Sequence, residues 1–309
     1  MNAFIGITDY DWFKLLSSQE KVDEINFWQP GGNRLFSSLE QNELFLFKLH
    51  SPRDYIVGGG IFTYSTILPV SLAWDTFGIA NGALSLQQMR DMIGKFRREK
   101  GDSNIDYKIG CILLTQPFFF SERDWVLVPN DWKSNIVQGK RYDLTKEPGS
   151  SLYNTILQRL SIESIRKNDM LSNSESIQKY GNPIEVFPRL HQGSFRIIVT
   201  DAYGRKCAIS NEKVLPVLIA SHIRPYSQGG NHRPNNGILL RSDIHTLFDR
   251  FYLTITPKFK IEVSKRIRED YENGHEYYAF HGKSINIPRD ETQKPSLENL
   301  AWHNERYLD

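Results

Sequence analysis

The sequence predicts an α+β protein with two domains joined by a helical segment. Three observations carry that prediction. The chain has 309 residues, enough for two cores of ordinary size. Its first half is built from short aromatic and β-branched runs set off by Gly and Pro, which read as strands of a β-rich domain. Its last third holds a strand–loop–strand–helix pattern, Leu218 to Phe251, with polar side chains at fixed places. The divisions fall at 1–150, 151–188 (a helical linker) and 189–309.

In the first domain, Glu43–Leu49 is an aromatic, nearly continuous apolar run and predicts a strand. Asp54–Val57, Gly58-Gly59-Gly60 and Ile61–Tyr64 read as strand, bend, strand. The three glycines are not a phosphate loop, because no Lys-Ser/Thr or helix signal follows. They fit a β-bulge or a tight corner. Ser71–Phe77 predicts a short helix ended by Gly78. Leu84–Lys100 predicts an amphipathic helix capped by Ser85, with Leu86, Met89, Ile93 and Phe96 as its apolar stripe. Ile109–Leu114 and Trp125–Val128 read as strands.

In the linker, Leu152, Ile156 and Leu160 mark a helical stripe. Leu171–Ile177 reads as polar loop, and Gly181-Asn182-Pro183 breaks the chain. Beyond it, Phe195–Tyr203 predicts a helix. Val214–Ile219 and Gly237–Leu240 predict two strands, and a helix begins after Ser242, an N-cap residue with Asp243 in the first turn. Tyr252–Thr256 and Lys260–Val263 form a hairpin around Pro257, and Trp302–Leu308 docks back.

Composition removes several classes. No apolar run approaches the length of a membrane span. The opening MNAFIGITDYDWF lacks the basic and apolar regions of a secretory signal. Two distant cysteines, Cys111 and Cys207, give no disulfide framework, which fits a reducing cytoplasm, and are too few for a four-Cys structural zinc site. The net charge of +2 is unevenly spread: Arg189–Arg268 holds fourteen Lys/Arg against five Asp/Glu. Such a basic block suits a phosphate backbone as partner. Arg224, Arg233, Arg241 and Arg250 are the candidate phosphate contacts.

The chemistry sits inside that block. His222 closes an apolar run, Asn236 follows fourteen residues later before Gly237, His245 nine after that, and Asp249 four later still. Hydrolysis of a phosphodiester needs a base for water and a hard cation at the phosphate. An imidazole takes a proton near neutral pH. His245 and Asp249 share one helical face, so they offer one nitrogen and one oxygen to a cation. Asn236 can pin the loop that carries His222. Each residue alone has an ordinary structural explanation; the ordered set of four is what points to a site. His50, His191, His275, His281 and His303 are read as structural or solvated. His232, in the same loop as His222, is a further phosphate-contact candidate.

This order and spacing resembles the HNH, or ββα-metal, endonucleases, and within them the restriction-enzyme type with a DIHxLFD helix. The similarity runs over about 189–309 and includes FRIIVTDAYGRKCAIS and LAWHNERYL. The resemblance implies that His222 is the general base, that Asn236 orients its loop, and that His245 and Asp249 are metal ligands. The implied metal is divalent, Mg²⁺ first, with Mn²⁺, Co²⁺ or Ni²⁺ tolerated by a nitrogen ligand. Many relatives carry a further ligand just before the base, where this chain has Ser221.

Phe27-Trp28-Gln29-Pro30 and Tyr55–Phe62 make the first domain similar to the PUA-like β-barrels, which include EVE, ASCH and SRA domains. That resemblance implies an aromatic pocket for a flipped base. Trp28, Tyr64 and Trp74 are the candidate walls, and Asn33, Asp75 and Asn81 the candidate readers of the base edge. Together the two resemblances imply a metal-dependent DNA endonuclease that reads a methylated or hydroxymethylated cytosine in double-stranded DNA and acts as a homodimer. The alternatives are an HNH nuclease indifferent to modification and a non-catalytic DNA-binding protein.

Overall fold

The structure, a computed structural model, describes residues 1–97, 106–171 and 191–308. The chain divides into two compact units, Met1–Arg189 and Leu190–Asp309. Both mix helices with sheet, as the α+β prediction requires. Among the described residues no helix is long and apolar enough to cross a membrane.

The N-terminal unit is built on a seven-stranded sheet. Its elements are β1 (Asn2–Thr8), α1 (Tyr10–Ser17), β2 (Glu24–Gln29), β3 (Leu44–Leu49), β4 (Tyr55–Pro69), α2 (Val70–Phe77), α3 (Leu86–Gly94), β5 (Lys108–Phe119), β6 (Val126–Leu127), β7 (Gly139–Asp143) and α4 (Gly149–Leu171). The strand order is β2-β5-β4-β3-β1-β7, with β6 on β4. The β1–β3 pair is parallel, and its other ladders are antiparallel.

All six residues of β3 are buried, because the sheet is covered on both faces. Phe45 and Phe47 enter an aromatic core with Trp12, Phe13 and Phe27, while Leu44 and Leu46 enter a second core with Ile5 and Ile56. Leu152 and Ile156 of α4 complete that second core. The first turns of the segment expected as a linker therefore contribute to this unit's packing.

The expected strand–bend–strand at the three glycines is one continuous strand, β4, whose register slips between Gly59 and Ile61. A Cβ at Gly58 would strike the Phe118 carbonyl, and one at Gly59 that of Phe45. Close approach of the flanking strands is what requires glycine there. In α3 the Ser85 hydroxyl accepts from the Gln88 N–H as expected, but the helix stops at Gly94 and leaves Phe96 exposed. The end of that expected helix at 98–100, most of the expected loop 171–177 and the break at 181–183 lie outside the described residues.

The C-terminal unit is α5 (Gln192–Ala202), β8 (Leu218–His222), β9 (Gly237–Arg241), α6 (Ser242–Asp249), β10 (Leu253–Ile255), β11 (Ile261–Val263), α7 (Arg266–Tyr271), α8 (His275–Tyr278) and α9 (Leu297–Asn304). β8 pairs antiparallel with β9, and β10 with β11. Two boundaries differ from expectation. Pro216 turns residues 215–217 into a single 3₁₀ turn, so the strand begins at Leu218. Ser242 is the first helical residue and Arg241 the N-cap, so the Ser242 side chain does not cap α6.

The core of this unit gathers Phe195 and Val199 from α5, Ile238–Leu240 from β9, Ile244 and Phe248 from α6 and Leu300 from α9. His303, buried at 2% exposure, pins α9: its two ring nitrogens meet Thr254 Oγ1 at 2.8 Å and the Phe248 carbonyl at 3.0 Å.

Candidate active site

Three elements converge on His222, and a fourth reaches its neighbour Ser221. His222 ends β8 opposite Gly237, the first residue of β9. α5 lies beneath the hairpin, and Phe195 stacks on the His222 ring at 4.0 Å and 9°. Glycine at 237 is what allows this, since a Cβ there would run into Val199 and press on Phe195. α6 leaves the far end of β9 and runs back along the hairpin. Its last turn brings the Asp249 carboxylate to the Ser221 hydroxyl, beside His222 in sequence. One turn earlier on the same face, His245 Nε2 lies 3.2 Å from Asp249 Oδ2.

Between the strands runs the loop 223–236, and Asn236 ties it shut. Its Oδ1 accepts from the Arg224 N–H at 3.0 Å and from Asn299 Nδ2 at 2.9 Å, while its Nδ2 donates to the carbonyls of Arg224 (2.9 Å) and Asn231 (2.8 Å). The side chain is fully buried. Within that loop His232 Nδ1 lies 2.9 Å from His222 Nε2. His232 thus meets the other histidine instead of standing clear for phosphate.

Electrostatics follow from burial. Desolvation, and then the neighbouring His232, push His222 down to about 4, so its imidazole is neutral at pH 7. Burial pushes the Asp249 carboxyl up, opposed by His245 and by the Ser221 hydroxyl. The Asp249 side chain keeps 51% of its surface open to solvent.

Among the described residues no group of three or more His, Cys, Asp or Glu is gathered to enclose a cation. His245 and Asp249 supply two donors of the kinds a hard-to-borderline divalent ion takes. Two donors suit an ion that keeps its remaining positions for water and phosphate. A partly desolvated carboxylate also gains from a nearby cation.

Residues 207–256 match the family model described as HNH endonuclease. The C-terminal unit holds an HNH endonuclease domain. The match covers both strands of the hairpin, α6 and β10, with His222, Asn236, His245 and Asp249 inside it. No curated protein matches the chain at a significant level.

Among solved structures, the ASCH protein from Zymomonas mobilis is similar at 16% identity over 49% of this chain and 96% of that one, with a TM-score of 0.32. Its Y47F mutant gives 16% identity, 49% and 96%, and 0.33. The modification-dependent TagI restriction endonuclease is similar at 11% identity over 94% of this chain and 78% of that one, with a TM-score of 0.30.

The arginines of the HNH domain divide. Arg241 gives Nε and one terminal nitrogen to the two oxygens of Asp243 at 2.7 Å, so one edge of its guanidinium is already paired. Arg224 donates from Nε to the Gln228 carbonyl and packs over Trp302. Arg233 and Arg250 are exposed. Both cysteines are buried and not joined in a disulfide, and Cys207 Sγ accepts from the backbone of Ser210 and Arg241.

In the N-terminal unit a cavity of about 320 Å³ opens beside β1, α1 and β2. Of the pocket residues expected from sequence, Trp28 lines it. Its indole N–H donates to the Asn81 carbonyl at 3.0 Å, which fixes the ring. Asn81 is corrected from base reader to internal strut. It is fully buried, its Nδ2 donates to the Ala73 and Gly78 carbonyls, and its Oδ1 accepts from Asn26. Asn33 and Asp75 are exposed, Tyr64 and Trp74 half-buried, and none of the four lines the cavity.

Sequence reading missed Phe96, His50 and Gln138, which do line it. The His50 ring stacks on Phe96 at 6.3 Å and 7°. Phe96 was read as part of the helix's apolar stripe, and no sequence signal set it apart.

Proposed function

We propose that this chain is a modification-dependent DNA endonuclease. Its HNH domain hydrolyses phosphodiesters with a divalent metal, and its N-terminal unit reads a methylated or hydroxymethylated cytosine in double-stranded DNA. The observation that carries the first half is a neutral His222, clamped by Phe195 and the Asn236-locked loop, next in the chain to Ser221, which meets the His245–Asp249 pair. His222 takes the proton of the attacking water. Asn236 holds the loop that presents it. His245 and Asp249 would hold the ion, Mg²⁺ by preference. When bound, the ion supplies positive charge at the scissile phosphate and the leaving oxygen. Arg233 and Arg250 meet the backbone.

Support for the second half is the cavity at Trp28. Its size suits a flipped base, with the Trp28 and Phe96 rings as apolar surface and Gln29 and Gln138 as polar lining. One base per chain implies that cutting both strands takes two copies or two successive nicks; a homodimer is the expected form.

The test is cleavage of one plasmid sequence in plain, methylated, hydroxymethylated and glucosylated forms with Mg²⁺ or Mn²⁺. The wild-type protein is expected to cut modified DNA in preference. Equal cutting of all forms would leave a nuclease indifferent to modification. His222→Ala is expected to lose at least about 100-fold in rate. Unchanged metal-dependent cleavage by that variant would remove His222 as the base.

A further inference from the structure

The loop that presents His222 also presents a second imidazole to it. Asn236 binds the chain at two points: Arg224, two residues after His222, and Asn231, one residue before His232. One buried amide therefore holds the two histidines together. Their nitrogens meet at 2.9 Å, with the rings at 68° to each other. Tyr226 stacks on the outer face of His232 at 5.1 Å and 11°, and Phe195 meets both imidazoles. Tyr226 is itself 63% exposed, so the far side of this stack leads to water.

A histidine base needs its lone pair on the nitrogen that faces the water. Were His232 the donor in this contact, the lone pair of His222 would be on Nε2 and already occupied, and its proton would sit on Nδ1. That arrangement leaves no base. The reverse leaves Nδ1 free to accept.

We propose that His232 is a positioning residue for the base: it accepts the Nε2 proton of His222, holds the lone pair on Nδ1, and carries the proton away during the reaction. This rests on the nuclease reading of His222. The step balances. Nδ1 of His222 gains the proton lost by water, Nε2 of His222 passes its proton to Nδ1 of His232, and His232 releases its Nε2 proton to solvent. The water oxygen bonds to phosphorus as the bond from phosphorus to the leaving oxygen breaks, and that oxygen takes a proton from solvent. Solvent then returns a proton to Nε2 of His232 as its Nδ1 proton goes back to Nε2 of His222 and Nδ1 of His222 gives up its proton to solvent, which restores the starting tautomer.

Of the titratable groups, His232 is the one whose ring nitrogen meets the His222 imidazole.

The experiment uses the full chain labelled with ¹⁵N-histidine, together with cleavage of the plasmid form it cuts fastest. In the wild-type protein, the ring nitrogen spectra are expected to show His222 protonated on Nε2. His232→Ala is expected to lower kcat at least about tenfold with KM nearly unchanged, and to abolish the preference of His222 for the Nε2 proton. His232→Asn keeps an acceptor near the Nδ1 position, so it should restore the His222 tautomer and part of kcat. Finding His222 protonated on Nδ1 in the wild-type protein overturns the proposal whatever the cleavage result. So does an inactive His222→Ala beside a His232→Ala of unchanged rate and unchanged His222 tautomer. His222→Ala cutting like wild type would instead overturn the base reading itself.

Discussion

Asn236 has both ends of its amide occupied by four partners, three of them backbone groups. Replacement by Ala strands those groups around a fully buried position. Each unsatisfied buried polar group costs about 1–3 kcal/mol, so Asn236→Ala should lower the stability of the HNH domain by about 3 kcal/mol and abolish cleavage. Asn236→Asp tests the same point more sharply. It keeps Oδ1 but turns an oxygen toward two carbonyls, so it should be no better than Ala in a urea melt.

The order His222, Asn236, His245, Asp249 was legible in the sequence because each stands where a local signal fixes it: a strand end, an Asn-Gly turn and one helical face. The pairing of His232 with His222 was not. It depends on how a 14-residue loop folds back, and no periodicity encodes that. Ser221 was legible only as a departure. In the fold it is 1% exposed and bonds to Asp249. Ser221→Asp would place a second carboxylate beside the first. That variant should reach half-maximal rate at lower divalent-ion concentration, and should melt earlier in chelator than the wild-type protein.

At the scale of elements, the hairpin, α5 and α9 are assembled by a few buried groups whose charge state matters. His303 holds α9 to β10 and α6 through both ring nitrogens, and burial has pushed it down to about 4 from 6.5. Between those values the unfolded chain binds a proton that the folded one refuses, so stability rises with pH across the window. As pH falls from 6.5 to 4, the C-terminal unit should lose about 3 kcal/mol from this group alone. His222 shifts in the same direction and adds to the loss. Denaturant melts across that range should show the slope, and His303→Gln should flatten it while starting from lower stability.

Gly237→Ala is the packing counterpart. The added methyl must displace Val199 and Phe195, the ring that supports His222, so cleavage should fall even where the fold survives. Elements set by local pattern, such as β3, α3 and the two hairpins, could be read from sequence. The parallel β1–β3 pair, α1 and the joining of α4 to the N-terminal core could not, because they depend on partners far away in the chain.

At the scale of the whole molecule, reading and cutting are assigned to separate compact units, and the assignment predicts that they fail separately. Trp28 is the residue to use, because its indole lines the N-terminal cavity and is fixed by a single hydrogen bond to Asn81. Stacking of a base on an aromatic ring is worth about 1–3 kcal/mol. Trp28→Ala should therefore cut the preference for modified over plain plasmid by roughly tenfold, and Trp28→Phe should keep most of it. Neither change reaches the chemistry. With Mn²⁺ and the small activated diester bis(p-nitrophenyl) phosphate, which has no base to read, both variants should hydrolyse at the wild-type rate while His222→Ala does not. A Trp28→Ala protein that loses hydrolysis of the small diester along with its choice of DNA would show that the two units do not divide the work in this way.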